Sequence, residues 1–169
     1  LALKATTVSI PSFSLFQQSA QQALDRNALL GLDGGGVFSD KVTGNKPIVI
    51  LLPGIMGSNL EQGNKKIWIN YVRFLLGELS KLDISKKDIK ATSLIKTSYK
   101  KLVDHLSNEY DVVTLPFDWR MPLADSAALL KDRIEKYLSL KTKPALKIVG
   151  HSMGGVVTRD FIINHPATW

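Results

Sequence analysis

The residues with the clearest potential for chemistry lie at positions 150–155, where the sequence is GHSMGG. Gly150, Ser152 and Gly154 form the pattern G-x-S-x-G, in which the serine can act as a nucleophile. The apolar run LKIV precedes the pattern and predicts a strand, and the segment GGVVTRDFII follows it and predicts a helix. So sharp a turn has no room for side chains at the two glycines. It would hold Ser152 Oγ above the sheet, at the positive end of the helix.

A serine hydroxyl needs other groups before it can attack an ester. It needs a histidine base that an acid orients, and two backbone N–H groups that bind the oxyanion. The amide of Met153, directly after the serine, is the expected first donor. The second donor is expected in the segment PGIMGS at positions 53–58, with Ile55 as the first choice and Met56 as the next.

The base and the acid are harder to place, because in this arrangement an acid and then a histidine follow the serine along the chain. Asp160 and His165 lie eight and thirteen residues after Ser152. On one helix they would be displaced by roughly 12 and 20 Å along the axis, so neither can reach the serine hydroxyl. His151 is expected to point away from the serine and to pack against neighbouring loops. His105, in the helix before the second strand, is expected to be a surface or packing residue. The sequence therefore predicts a nucleophile and oxyanion donors without a visible base or acid.

Three apolar runs could form the strands that position these residues, at 47–52, 112–115 and 145–150. Helical spacing of apolar residues predicts two helices between them and a third after Ser152. The first helix lies within 98–110 with Ser98 as N-cap, and the second within 125–140 with Asp125 or Ser126 as N-cap. This alternation predicts the α/β class, with a parallel sheet and helices on both faces. Ligands of such sheets bind beyond the carboxyl ends of the strands, which here carry PGIMGS, PFDWR and GHSMGG.

The segments outside this alternation have weaker patterns. Residues 1–46 are predicted to form a poorly patterned N-terminal segment, with a helix within 14–30 followed by a linker. The linker contains the glycines at 34–36, which do not favour regular structure. Residues 67–84 lack a clean period and are predicted to form a partly helical connection. A lid over the site could involve residues 61–97, although nothing in their pattern indicates one.

Composition sets limits on the class of protein. The 169 residues include 44% hydrophobic and 22% charged residues, which are ordinary values for a globular domain. The chain has no cysteine, and this excludes disulfides, thiolate metal sites and a cysteine nucleophile. Residues 65–101 carry ten basic and three acidic side chains, an excess equal to the net charge of +7 of the whole chain. Without interleaved aromatic residues or a binding motif, this excess predicts a solvated basic segment and no nucleic-acid partner.

Three blocks of the sequence together resemble a known family. They are IVILLPGIMGSNL at 48–60, YDVVTLPFDWR at 110–120 and LKIVGHSMGGVVTR at 146–159. Their order and spacing are similar to those of the lecithin:cholesterol acyltransferase family within the α/β-hydrolases, notably its bacterial lipase/acyltransferase members. The resemblance implies an acyl-ester substrate, often a phospholipid, and an acyl-enzyme on Ser152 with the amides of Ile55 and Met153 as oxyanion hole. It also implies that Asp118, Trp119 and Arg120 support the site structurally.

The resemblance leads to a specific set of expectations. Residues 47–169 would be the N-terminal part of an α/β-hydrolase domain, a partial α/β-hydrolase fold. The missing strands, acid and histidine would lie beyond Trp169 or in a partner chain. The expected partners are a lipid or other acyl ester and a membrane surface, with no cofactor and no metal. Two alternatives stay open: a truncated, non-catalytic module that binds lipid or protein, and a peptidase or thioesterase on the same fold.

Overall fold

The computed structural model describes residues 35–63, 65–68, 80, 82–86, 88–141 and 144–169. The helix predicted within 14–30, Gly34 and most of the predicted connection at 67–84 lie outside the described residues. In chain order the described elements are β1 (Gly36–Val37), β2 (Ile48–Leu52), β3 (Ser58–Gln62), β4 (Lys65–Trp68), β5 (Ile89–Ile95), α1 (Lys96–Leu106), β6 (Asp111–Thr114), α2 (Leu123–Leu138), β7 (Leu146–Gly150) and α3 (Met153–Asn164). Across these described residues, no helix has the length and apolar character that crossing a membrane requires.

The three predicted strands form a parallel sheet in the order β6-β2-β7. Ile50, at the centre of β2, pairs with Val113 of β6 and with Ile148 of β7. Every residue of β2 is buried, as expected for a continuous apolar run in the middle of a parallel sheet. The strand prediction is therefore confirmed for this sheet, with ends that differ by one residue.

A second, antiparallel sheet in the order β1-β5-β3-β4 was not predicted. The expectation of one parallel sheet is wrong in this respect, and the protein is a mixed α/β structure. Strand β3 has the mostly polar sequence SNLEQ and buries Ser58 and Asn59 as well as Leu60. It pairs with β5, whose residues lie far away in the sequence, for example Asn59 opposite Ser93. Hydrophobic periodicity gives little signal for such strands, because long-range pairing defines them.

Helices cover both faces of the parallel sheet. On one face Ile48, Ile50 and Leu52 of β2 pack in a core with residues of α2 and α3. On the other face Val49 and Leu51 pack against residues of α1. Successive side chains of a strand point to opposite faces, so β2 contributes to both cores. This confirms the predicted arrangement of helices around the parallel sheet.

Helices α1 and α2 begin a few residues earlier than the sequence predicted from Ser98, Asp125 and Ser126. Helix α1 follows β5 directly, with Ile95 as its N-cap residue, so Ser98 lies inside the helix. Helix α2 has Pro122 as its N-cap residue, so Asp125 and Ser126 lie within its first turns and Ser126 is buried. None of the three predicted residues therefore serves as an N-cap.

The segment 35–46, predicted as part of a linker, forms specific contacts with the parallel sheet and α2. Gly36–Val37 pairs with β5 as the short strand β1. The Thr43 amide and hydroxyl both donate to the Asp111 carboxylate, at 2.7 and 2.9 Å to the same oxygen. Ser39 N–H donates to Thr114 Oγ1 at 2.9 Å. These bonds align the segment along strand β6.

Asp40 fastens the same segment to helix α2. Its carboxylate accepts hydrogen bonds from Arg133 at 3.0 Å, from Lys136 at 3.1 Å and from the Tyr137 hydroxyl. Burial acts to raise the pKa of Asp40, but the bonds from Tyr137 and Lys136 and the charge of Arg133 outweigh it, so this pKa lies below its usual value. Burial and the bond to Asp40 raise the pKa of Tyr137 to about 12.

Candidate active site

Ser152 lies in a strained turn between β7 and α3. Its φ of 51° falls in the left-handed region that non-glycine residues rarely adopt, and its side chain is exposed. A Cβ at Gly150 would lie 2.7 Å from the backbone nitrogen of Gly155, and a Cβ at Gly154 would lie 2.7 Å from the carbonyl oxygen of Pro53. The turn therefore requires glycine at both positions, as the sequence pattern predicted.

The end of β2 meets the Ser152 turn directly. His151 N–H donates to the Leu52 carbonyl at 3.0 Å, which extends the pairing of β2 and β7 past the strand end. A Cβ placed on Gly54 would lie 3.2 Å from Ser152 Cβ. The segment PGIMGS and the segment GHSMGG are thus adjacent at the carboxyl edge of the sheet, where parallel strands bring their following turns together.

A tight turn shapes the segment after β2. Gly57 N–H donates to the Gly54 carbonyl at 3.0 Å, and Met56 between them has a φ of 59°. The Trp68 indole N–H donates to the Met56 carbonyl at 2.9 Å and so joins the turn to strand β4. The side chains of Ile55 and Met56 are exposed to 58% and 46%. The turn therefore presents two apolar side chains to solvent beside Ser152.

The amides of Ile55 and Met153 are both unpaired in the described part of the chain. The carbonyl of each of these peptide units is held elsewhere: Gly54 O by Gly57 N–H at 3.0 Å, and Ser152 O by Gly155 N–H at 2.9 Å. In a trans peptide the N–H points opposite to the C=O of the same unit. Fixing the two carbonyls therefore fixes the directions of two N–H groups that have no internal acceptor.

Tyr99 connects the two turns, which the sequence analysis did not foresee. Gly54 N–H donates to the Tyr99 hydroxyl at 2.8 Å, and that hydroxyl lies 2.9 Å from His151 Nδ1. A hydroxyl has one proton to donate and two lone pairs, so the Tyr99 oxygen can bond both Gly54 N–H and His151 Nδ1. Helical spacing had placed Tyr99 only on the buried face of α1. That burial is confirmed, since Tyr99 is 5% exposed. Spacing along the helix, however, does not indicate what the hydroxyl contacts.

All three histidines are in the described residues, and none forms a hydrogen bond with Ser152. His151 contacts Tyr99 through both its ring nitrogen and its ring edge. His165 follows the end of α3 and packs near the Phe161 ring. His105 is exposed near the end of α1. The Ser152 hydroxyl likewise has no hydrogen-bond partner in the part of the chain that the structure describes.

Asp160, the acid nearest after the serine, is turned toward its own helix. One carboxylate oxygen accepts a hydrogen bond from Asn164 Nδ2 at 3.1 Å. The other oxygen is buried without a hydrogen-bond partner among the described residues. Asp160 thus makes no contact with a histidine or with the Ser152 turn that the structure records.

The block PFDWR forms a rigid corner after β6. Asp118 and Arg120 form a short ion pair, with 2.5 Å between Oδ2 and the guanidinium, and the side chain of Arg120 is only 4% exposed. Arg120 also donates to the carbonyls of Asp83 and Lys86, which ties down the loop before β5. The Trp119 ring packs edge-on against Trp68. These contacts join the corner to the loop before β5 and to strand β4.

Four lysines of the basic segment are exposed to solvent. Lys90, Lys96, Lys100 and Lys101 are exposed along β5 and α1, and Lys100 forms an ion pair with Asp104 one helical turn away. No group of three or more potential metal-ligating side chains occurs within the described ranges. The candidate nucleophile and the two unpaired amides therefore lie at one place, the edge of the sheet where the turns after β2 and β7 meet.

Comparison with known proteins gives one match. Neither a curated protein nor a solved structure matches the chain. The sequence model of the family described as lecithin:cholesterol acyltransferase matches residues 78–169, which are more than half of the chain. The matched range contains the PFDWR corner, Tyr99 and the Ser152 turn, and it begins after the turn that contains Ile55. The chain belongs to the lecithin:cholesterol acyltransferase family.

Proposed function

We propose that this protein is a serine-dependent carboxylic-ester hydrolase or O-acyltransferase that acts on lipid-like acyl esters through an acyl-enzyme on Ser152. Membership of the family indicates lipid acyltransferase or esterase activity in general. The observation that carries the assignment to Ser152 is its strained, exposed turn beside two unpaired amides. Unpaired N–H groups at fixed positions are the usual means of binding an oxyanion in acyl transfer.

The reaction would proceed in two steps. Ser152 Oγ attacks the ester carbonyl carbon while a base takes its proton, and the carbonyl oxygen becomes an oxyanion that the amides of Ile55 and Met153 bind. The bond to the alcohol then breaks, the alcohol leaves with the proton, and the acyl group stays on Ser152. Water or an acceptor alcohol attacks this acyl-enzyme in the second step, which releases an acid or a new ester.

We further propose that the base and the acid come from outside these 169 residues. Supporting this, none of the three histidines bonds Ser152, and the one next to it is held by Tyr99 at 2.9 Å. A partial α/β-hydrolase fold over residues 47–169 would accept the missing groups either from further polypeptide or from a partner chain. The parallel sheet β6-β2-β7, with its catalytic turn at the carboxyl edge, is consistent with the core of that fold.

The surroundings of Ser152 support a lipid-like acyl group. Ile55 and Met56 expose apolar side chains at the turn that borders Ser152, where an acyl chain would lie. Contact with a membrane surface is part of the same proposal, because a water-insoluble ester must be reached at its interface. The exposed lysines of β5 and α1 would favour an anionic surface.

The direct test is covalent labelling by a fluorophosphonate probe and turnover of a long-chain ester by the full-length protein. Ser152→Ala should abolish both, because the variant lacks the nucleophile. Ser98→Ala, a change at an exposed serine on α1, is the matched control and should label like the wild type. Undiminished turnover in folded Ser152→Ala would exclude the assignment.

A substrate panel separates the remaining possibilities. Esters, thioesters and amides with the same acyl chain should be tried on one preparation, and we expect the ester to turn over fastest. A preference for the amide or thioester would favour the peptidase or thioesterase alternative. Lipid binding without labelling or turnover would favour a non-catalytic module.

A further inference from the structure

We propose that Tyr99 is a positioning residue for the reaction on Ser152, because its hydroxyl joins the two backbone segments that carry the oxyanion donors. This inference rests on the proposed function. Gly54 N–H donates to the Tyr99 hydroxyl at 2.8 Å, and the same oxygen lies 2.9 Å from His151 Nδ1. Gly54 directly precedes Ile55, and His151 directly precedes Ser152.

The Tyr99 ring is held firmly enough to fix its hydroxyl. Only 5% of the residue is exposed, and the ring belongs to the core in which Leu51 of β2 and Val103 of α1 pack. The hydroxyl is closely enclosed on the side of the turn, since a Cβ at Gly57 would approach it to 2.8 Å. A tightly packed aromatic ring with one polar atom at its tip has a single position for that atom.

Tyr99 and the turn hydrogen bond together fix both sides of Gly54. Its N–H is held by Tyr99 at 2.8 Å and its carbonyl by Gly57 at 3.0 Å. The second bond orients the Ile55 N–H, and the first prevents the whole turn from rotating about Pro53. Without the hydroxyl, the buried Gly54 N–H would have no acceptor, which favours any rearrangement that gives it one. Such a rearrangement would move the Ile55 N–H away from the oxyanion.

Tyr99→Phe removes this oxygen and keeps the ring. Loss of one oxyanion donor costs about 10²–10³ in kcat, and a misaligned donor retains part of its effect. We therefore expect kcat for a p-nitrophenyl decanoate substrate to fall about 10- to 100-fold, with KM within about twofold of the wild type. We expect kcat to change and KM not to change because these N–H groups stabilise the charged oxyanion far more than the neutral ester of the bound substrate.

Two further variants distinguish positioning from general destabilisation. Ile134→Ala, on α2, removes packing from the core on the other face of the parallel sheet, which does not include Tyr99, so it should lower the melting temperature and leave kcat within about twofold. His151→Ala, at an exposed position, removes the other partner of the hydroxyl and should lower kcat less than Tyr99→Phe does. Because His151 acts through Tyr99, the double variant should be no slower than Tyr99→Phe.

The outcomes separate this inference from the function on which it rests. A wild-type protein without turnover or Ser152 labelling would overturn both. Turnover by the wild type with unchanged kcat in folded Tyr99→Phe would overturn the role of Tyr99 alone. So would a loss of kcat in Ile134→Ala as large as that in Tyr99→Phe, or an effect of Tyr99→Phe confined to KM.

Discussion

Ser152 has a positive φ, a backbone conformation that costs a non-glycine residue about 1–3 kcal/mol, and Met56 in the facing turn has another. Such conformations persist only where surrounding structure determines them. Around Ser152 the determinants are the backbone contacts of Gly150 and Gly154, and around Met56 they are the bonds of its neighbours and of Trp68. Strain at two facing residues is consistent with a site in which each exposed amide has one direction.

Substitution of the glycines after Ser152 tests this tight packing. Gly154→Ala would place a Cβ 2.7 Å from the Pro53 carbonyl oxygen and 2.8 Å from that of Leu52, and neither backbone atom can move freely. We expect a loss of at least about 1–3 kcal/mol in the free energy of unfolding, together with loss of Ser152 labelling. Urea denaturation followed by circular dichroism measures the first quantity.

Gly155→Ala is the matched control on the same helix. Its added Cβ would come no closer than 3.7 Å to its nearest neighbour, and alanine favours a helix by up to about 1 kcal/mol over glycine. Its stability should therefore equal or exceed that of the wild type. Equal stability of the two variants would contradict the contacts assigned to Gly154.

At the scale of the elements, the antiparallel sheet gives the site its shape. Strand β4 supplies Trp68, whose indole holds the Met56 carbonyl, and β5 leads without a break into α1, which carries Tyr99. The parallel sheet alone would bring the turns after β2 and β7 together. The second sheet and α1 add the contacts on the outer side of the turn after β2.

The hydrogen bonds and ion pairs of Asp40 with α2 predict that the stability of the protein depends on pH. Bonds and charges from α2 lower the pKa of Asp40 despite its burial, so its contribution is present above the unfolded pKa of about 3.9 and is lost as the pH falls through the lower folded value. Tyr137 makes the stability depend on pH at the alkaline end of the range. Its folded pKa of about 12 lies above the unfolded value near 10, so stability falls as the pH rises from about 10 to 12.

Asp40→Asn should remove most of the acid-side dependence and loosen the segment 35–46. Urea denaturation between pH 2.5 and 7, with limited proteolysis of this segment at pH 7, measures both effects. Asp125→Asn changes an exposed carboxylate in the first turn of the same helix and should leave the proteolysis rate unchanged. If the free energy of unfolding varied with pH in the same way for Asp40→Asn and the wild type, the proposed contribution of Asp40 would be wrong.

At the scale of the whole molecule, the parallel sheet has an open edge among the described residues, because β7 pairs only with β2. Apolar side chains are exposed nearby, with Val156 at 50% and Ile163 at 62% on α3 and Trp169 at 66% after its end. A cavity of about 310 Å³ beside β7 is lined mainly by apolar residues, including Leu138 and Trp169. An open strand edge with exposed apolar neighbours favours association with other chains.

We therefore expect the 169-residue polypeptide to self-associate as its concentration rises. Replacing Val156 and Ile163 together by lysine should reduce association, because it places two charges on the apolar surface of α3. Sedimentation velocity over a tenfold concentration range is the measurement. Asn164→Lys adds a charge at an exposed polar position of the same helix and should have a smaller effect. A wild-type polypeptide that stays monomeric over the whole concentration range would show that this surface does not drive self-association.

The sequence by itself determined the parallel sheet and the turn at Ser152. Local patterns suffice there, since β2 is a continuous apolar run and Gly150, Ser152 and Gly154 are close together in the chain. The tertiary structure decided the antiparallel sheet, the docking of Asp40 on α2 and the role of Tyr99. The pairing of β3 with β5 and the bonds of Tyr99 to Gly54 and of Asp40 to Tyr137 join residues far apart in the chain, 45 and 97 residues for the two bonds. Spacing along a chain shows which face a side chain occupies, but only the folded arrangement shows which distant atom its polar group meets.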